Sequence, residues 1–144
     1  MFELDPRLEA DTHMLGDFPL CRLLLMNDAN YPWFILVPRR EGVREIFELS
    51  TAEQHALLQE SSFLAERLHT VFGADKINIA ALGNQVPQLH LHHIVRYEND
   101  AAWPGPVWGA HPARPYGQKE LAAMLLKVGM VLNEGTEQVE SHDD

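Results

Sequence analysis

The stretch Gly83-Asn84-Gln85-Val86-Pro87-Gln88-Leu89-His90-Leu91-His92-His93-Ile94-Val95-Arg96 decides how this sequence is read. Gly83, Asn84 and Gln85 are turn residues, and Pro87 precedes a run that predicts a strand from Gln88 to Val95. Successive side chains of a strand point to opposite faces. Gln88, His90 and His92 then share one face, about 6.6 Å apart for each two-residue step. Leu89, Leu91 and Val95 take the other face, toward a core, and His93 falls on that apolar side. A lone histidine is most simply a core residue with backbone partners. Three polar groups in a row on an otherwise apolar strand need partners of their own and suggest a lined pocket.

Working outward, Lys76 to Ala81 predicts a strand with Ile77, Ile79 and Ala81 on one face and Asn78 opposite. Before it, Ser50-Thr51-Ala52-Glu53 fits a capping box, and Leu57, Leu64, Leu68 and Val71 keep helical spacing up to Gly73, a natural C-terminal stop. Leu20 to Met26 and Trp33 to Val37 are apolar strands joined by the polar turn Asn27 to Pro32, a predicted hairpin that stops at Pro38. Asp5 to Met14 predicts a short helix opened by Pro6. Downstream, Ala101 to Tyr116 is a loop rich in Pro, Gly and Trp. Gln118 to Leu132 is a helix with Leu121, Met124, Leu125, Val128 and Leu132 on one stripe. Consecutive strands with one helix between the pairs argue an α+β fold with a mainly antiparallel sheet and two helices.

The chain has 144 residues, so one domain is expected. We place it over residues 1–135, with the motif-bearing core at about 18–97, a C-terminal loop and helix at 98–133, and a flexible acidic tail at 136–144. The length excludes a (β/α)8 barrel. A net charge of −10 argues against nucleic acid or an acidic membrane as partner, although a small anion held by local donors is compatible with it. No apolar run reaches the length of a membrane span, and MFELDPRLEAD has neither the basic nor the apolar part of a signal peptide, so a cytoplasmic location is expected. The single Cys21 excludes an internal disulfide and a multi-cysteine zinc site.

The run from Asn78 through Gly83-Asn84-Gln85-Val86-Pro87-Gln88-Leu89-His90-Leu91-His92-His93-Ile94 resembles the signature of the histidine-triad (HIT) superfamily, His-x-His-x-His after a Gly-Gln-Ser/Thr-Val turn. With the upstream hairpin and the helix from Ser50, the resemblance covers roughly residues 18 to 97. It implies a five-stranded antiparallel sheet, a homodimer, and hydrolysis or transfer at the α-phosphate of a nucleotide. It maps the nucleophile to His90 and the third triad histidine to His92, with a backbone carbonyl near His92 anchoring His90 Nδ1–H. The sequence departs from the family at three places. Gln88 stands where the first histidine is expected, a further upstream histidine of many members falls at about Phe34, and the Pro-x-x-x-Gly-His loop common in the family is shortened to Tyr31-Pro32-Trp33-Phe34. These departures bear on substrate and efficiency.

Attack by His90 on an α-phosphorus gives a nucleotidyl-histidine that water then cleaves. His92, one strand step away, is suited to donate to a phosphate oxygen or to the leaving group. Gln85 and Gln88 are neutral donors for non-bridging oxygens. Arg39, Arg40 and Arg96 are candidate polyphosphate contacts, set against a simpler reading as solvated strand-end charges. The resemblance places ribose recognition near Asn27 and Asp28, where plain turn chemistry is the alternative, and Asn78 matches a family asparagine near the phosphates. Leu25 and Phe34 either flank a base or, more simply, fill the core. The expected activity is that of a nucleotide hydrolase or nucleotidyltransferase on a diadenosine-polyphosphate-like substrate or a phosphoramidate. It needs no cofactor, although free Mg2+ can modulate a polyphosphate substrate. The alternatives are a non-catalytic nucleotide-binding or sensor module, and a metal protein using His90 and His92. The last is weakened because zinc takes three or four ligands and only two alternate histidines are in place.

Overall fold

A computed structural model of the chain describes residues 1–143, with side chains described through Asn133. Its elements in order are α1 (Pro6–Asp11), β1 (Thr12–Asp17), β2 (Cys21–Met26), β3 (Trp33–Pro38), a 3-10 turn (Ile46–Glu48), α2 (Thr51–Phe72), β4 (Lys76–Ala80), β5 (Leu91–Arg96) and α3 (Gln118–Asp143). The strands form one sheet in the order β1-β2-β3-β5-β4, with every neighbouring pair antiparallel. The α+β class and the five-stranded antiparallel sheet agree with the sequence reading. The tail expected at 136–144 falls on positions whose side chains lie outside the described residues. Among the described residues, no helix is long and apolar enough to cross a membrane.

The fifth strand comes from a segment read as helix. α1 opens as predicted, with Asp5 accepting from Arg7 N and Pro6 in the first turn, but it stops at Asp11. Thr12 then turns its hydroxyl back to the Leu8 carbonyl at 2.6 Å, closing the helix end, and the backbone from Thr12 onward pairs with β2. A register shift between Met14 and Gly16 breaks the alternation that would have marked this strand in the sequence.

α2 follows the sequence closely. Ser50 Oγ accepts from Glu53 N at 3.1 Å, the Glu53 carboxylate accepts from Ser50 N at 2.9 Å, and Gly73 ends the helix in the left-handed region at φ 62°. The helix lies on one face of the sheet, where Leu57, Leu64 and Leu68 meet Leu23, Leu36 and Val95. Leu25 and Phe34 belong to this same core, so they flank no base. The other sheet face carries Leu24, Trp33, Ile35, Val37 and Ile94, covered by Leu8 of α1 and Val107 of the long loop.

β5 begins at Leu91, three residues later than predicted. The ladders end where Leu36 pairs with Leu91 and Ala80 with His92. Before that point Leu89 N–H leaves the sheet and bonds the Val43 carbonyl at 3.0 Å. Gln88, Leu89 and His90 therefore form a bend at the mouth of the strand, where a side chain can stand clear of its neighbours.

Buried Glu60 of α2 ties the helix to the sheet, its two oxygens accepting from Leu20 N at 2.8 Å and Cys21 N at 2.9 Å. Both N–H groups lie at the entry to β2. Glu60→Gln sets an amide N–H2 against one of these donors. It should lower unfolding free energy by about 1–3 kcal/mol, the usual cost of an unsatisfied buried donor. Urea denaturation of the two proteins checks this, and unchanged stability refutes the tie.

Candidate active site

His90 stands on the bend before β5. Its Nδ1 lies 2.7 Å from the Gln88 carbonyl oxygen. A carbonyl only accepts, so Nδ1 carries the proton and Nε2 keeps its lone pair. The anchoring carbonyl belongs to Gln88, two residues before His90, and not to a residue near His92. His90 Nε2 makes no hydrogen bond among the described residues. The side chain is buried, yet it lines a cleft of about 340 Å³ together with Arg44, Glu45, Gly83, Asn84 and Gln88. Gly83 permits the wall to close: a Cβ there would stand 2.7 Å from the Val86 carbonyl and 3.6 Å from His90 Cε1.

His92 lies behind His90, the ring centroids 4.8 Å apart. Trp33 Nε1–H donates to His92 Nδ1 at 3.0 Å. An indole nitrogen can only donate, so Nδ1 is unprotonated and the proton of the neutral ring sits on Nε2, which faces the Leu82 carbonyl at 3.3 Å. Burial, then the positive charge that His90 can carry, pushes His92 down to about 4, outweighing the Leu82 carbonyl. It is neutral at physiological pH, with both nitrogens engaged. Trp108 closes the other side of the ring at 5.1 Å.

His93 points through the sheet to the α2 side. Its Nδ1–H donates to the Leu91 carbonyl at 3.1 Å, and Ser61 Oγ–H donates to Nε2 at 2.7 Å. It is fully buried, and burial pushes it down to about 4. It is the core residue that the alternation implies.

The other expected site residues separate into groups. The Gln88 side chain, expected on phosphate oxygens, is committed elsewhere: Oε1 accepts from Asp5 N and Nε2 donates to the Glu3 carbonyl, each at 2.9 Å. Arg96, expected on polyphosphate, is fully buried. Its guanidinium donates to Asp100, to Asn78 Oδ1 at 2.7 Å and to the Gly105 carbonyl at 2.8 Å, and it lies over the Tyr31 and Trp103 rings. Alternation puts Arg96 and Asn78 on the same face as His92, but their polar atoms answer each other and the long loop instead of a ligand. Arg39 is bonded to the Phe18 and Pro19 carbonyls, and Arg40 to Glu53, both away from the cleft. Gln85 is exposed on the loop that leads to His90.

Asn27 and Asp28 lie beyond the His92 ring. Asn27 Oδ1 accepts from Tyr116 N at 2.9 Å, and buried Asp28 accepts through Oδ1 from Asn30 N at 3.0 Å and Arg114 N at 3.2 Å. With Trp33, Trp108 and His111 they line a second cavity of about 390 Å³. The ring series His90, His92, Trp108 connects the two cavities. Sequence reasoning missed Trp33 and Arg44. Trp33 was accessible from alternation: β3 pairs Ile35 with His92, so odd-numbered residues of β3 share the histidine face, and Phe34 cannot. Arg44 sits in an irregular segment with no periodicity to mark it.

A model of the HIT domain family matches residues 7–99. The chain belongs to the HIT domain family. Solved structures agree. A histidine triad protein from Marinobacter aquaeolei VT8 is 57% identical, with TM-score 0.90, 93% of this chain covered and 98% of that one. One from Sinorhizobium meliloti 1021 is 46% identical at TM-score 0.88, with 91% and 97% covered. One from Bradyrhizobium japonicum is 44% identical at TM-score 0.85, with 88% and 94% covered. No curated protein matches the sequence at a significant level. Gln88, His90 and His92 all lie within the matched residues.

The two depressed histidines give a test of the site's interior. A histidine is half-protonated near pH 6.5 in the unfolded chain, whereas His92 and His93 take a proton in the fold only near pH 4. Their stabilisation is complete above pH 6.5 and is lost as pH falls through about 4, each shift corresponding to at most about 3 kcal/mol. Denaturation followed between pH 6.5 and 4 should show uptake of up to about two protons on unfolding. His93→Asn should remove about one of them. An unchanged slope in that variant refutes the burial of a neutral His93.

Proposed function

We propose that this protein cleaves a nucleotide at its α-phosphate through a nucleotidyl–His90 intermediate. The single observation that supports this most is the state of His90: Nδ1–H held by the Gln88 carbonyl, and an unpartnered Nε2 on a residue lining an open cleft. In the first step the Nε2 lone pair forms a bond to phosphorus while the bond from phosphorus to the leaving group breaks, and the leaving group takes the electron pair. Nδ1 keeps its proton, so the ring becomes cationic, and the Gln88 carbonyl stabilises that charge. Water then attacks phosphorus, loses its proton to solvent, and the N–P electron pair returns to Nε2.

In this reading the second cavity holds the nucleoside. Trp33 and Trp108 give apolar ring surface, and Asp28 Oδ2, which makes no hydrogen bond among the described residues, is left for a ribose hydroxyl. Asn27 joins it through its amide. His92 acts as a positioning residue. Its ring backs His90, and its own nitrogens are committed to Trp33 and Leu82. The reaction requires no metal or cofactor in this reading, since the groups named for each step are side chains and a backbone carbonyl. The commitment of Gln88 to the N-terminal segment favours one other reading, a HIT module that binds nucleotides without turnover.

Labelling with an adenosine 5′-phosphoimidazolide, acid quench and peptide mapping by mass spectrometry separates the two. We expect an adduct on His90, formed equally in chelator, and none in His90→Ala. His92→Ala should slow labelling and turnover by about 10²–10⁴-fold, the same range that general acid–base help would give. As a positioning residue it should do so alike for activated and unactivated leaving groups. Selective rescue by activated leaving groups makes His92 a proton donor. Absence of any adduct leaves the binding module as the function.

A further inference from the structure

The cleft at His90 contains an arginine without a hydrogen-bond partner. Arg44 lines the same 340 Å³ space as His90, and its guanidinium makes no hydrogen bond and no ion pair among the described residues. Arg22, Arg39, Arg40, Arg96 and Arg114 all have carboxylate partners. The carboxylate acting on Arg44 electrostatically is Glu48, and Glu48 Oε1 is committed to the Arg44 and Glu45 N–H groups at 2.9 Å each. These bonds fix the backbone from which Arg44 springs. The Leu89 N–H to Val43 carbonyl bond then fastens that backbone to the residue preceding His90. Arg44 is thus a cation on a held base, in the cleft that His90 lines.

Among the described residues, no side chain beside His90 is placed to release a proton to a leaving group. His92 Nε2–H faces the Leu82 carbonyl, His92 Nδ1 accepts from Trp33 Nε1–H, and the Gln88 amide is bound to residues 3 and 5. A leaving group here departs without protonation from a protein acid. A phosphate departs readily as an anion, whereas an amine needs a proton as its bond to phosphorus breaks.

Resting on the His90 reading, we propose that Arg44 forms the leaving-group subsite of the cleft and that it selects phosphoanhydrides, whose leaving group departs as a phosphate anion, over phosphoramidates. The bridging oxygen takes the electron pair of the broken P–O bond, and Arg44 neutralises the charge that gathers there. Glu45, on the same wall, opposes it. Removing the Arg44 charge leaves that carboxylate unbalanced, so the two residues pull anhydride turnover in opposite directions.

The test compares three probes on the full chain: diadenosine tetraphosphate, adenosine 5′-phosphoramidate and adenosine 5′-phosphoimidazolide. In the unmodified protein kcat/KM for the tetraphosphate should exceed that for the phosphoramidate by about 100-fold or more, the scale of one well-placed charge in a catalytic site. The ratio of tetraphosphate to imidazolide turnover should fall at least about tenfold in Arg44→Gln and rise in Glu45→Gln. Both residues are exposed, and thermal denaturation confirms that each variant folds. A phosphoramidate turned over as fast as the tetraphosphate overturns the proposal. So does a tetraphosphate-to-imidazolide ratio unchanged in Arg44→Gln while His90 is still labelled. If the imidazolide labels no variant on His90, the nucleophile itself is wrong and the subsite falls with it.

Discussion

The hydrogen bond from Trp33 Nε1 to His92 Nδ1 sets the rest of the site. An indole has one polar atom and it can only donate, so the bond fixes the histidine tautomer and ring plane together. It also crosses two strands, joining β3 to β5 on the face opposite α2. With His92 held, His90 has a rigid ring to lie against on one side, and Trp108 has the other. A charged His92 would lose the Trp33 bond, because both of its nitrogens would donate. The neutrality that burial imposes and the geometry that Trp33 imposes therefore reinforce one another.

A second constraint comes from the bend before β5. Leaving the sheet at His90 frees that side chain from cross-strand neighbours, but it also frees the backbone groups of residues 88–90. Leu89 N–H finds the Val43 carbonyl, and the Gln88 carbonyl finds His90 Nδ1. The Gln88 amide takes both a donor and an acceptor from the N-terminal segment. A histidine at this position would offer one donor and one acceptor from a ring and could not clasp an extended backbone in this two-pronged way. Gln88 thus has a structural consequence that can be read directly: it clasps the segment whose Phe2 and Leu4 pack on the apolar sheet face that carries His92.

Much of this was legible in the sequence, for physical reasons that differ by element. The capping box at Ser50 and the stop at Gly73 are local and were readable without tertiary context. The strand alternation gave the faces of Leu91, His92, His93 and Val95 correctly, because a two-residue period survives wherever the ladder is regular. It failed at the two irregular places. β1 carries a bulge between Met14 and Gly16, and β5 starts after the bend, so alternation extended back to Gln88 puts that residue in the His90 cleft but does not show that its amide is bound to the N-terminal segment. Arg96 and Asn78 lay on the expected face, but a face says nothing about partners. Asp100, Gly105 and Trp103 come from a loop whose course no periodicity announces. Phe34, the position nearest the family's upstream histidine, lies in the core on the α2 side, whereas Trp33 and Ile35 share the His92 face.

The buried Arg96 network shows why charge alone was a poor guide to ligand contacts. Burial by itself pushes Asp100 up, yet Arg96 and the Tyr97, Ala102 and Trp103 amides hold its carboxyl at about 2, so the pair is self-contained. A cation satisfied in this way has little field left for a substrate. Net charge is equally uninformative at the cleft. The chain carries −10, but charges farther than about 8 Å through water are screened at physiological salt. What an anion meets beside His90 is set by the groups that line the cleft, namely the Arg44 cation, the Glu45 carboxylate, the Asn84 amide and the His90 ring. In the proposed mechanism the His90 ring becomes cationic once it carries the nucleotidyl group, and two positive groups then face one carboxylate. On that reading an acidic protein presents a locally cationic cleft at the stage when negative charge gathers there.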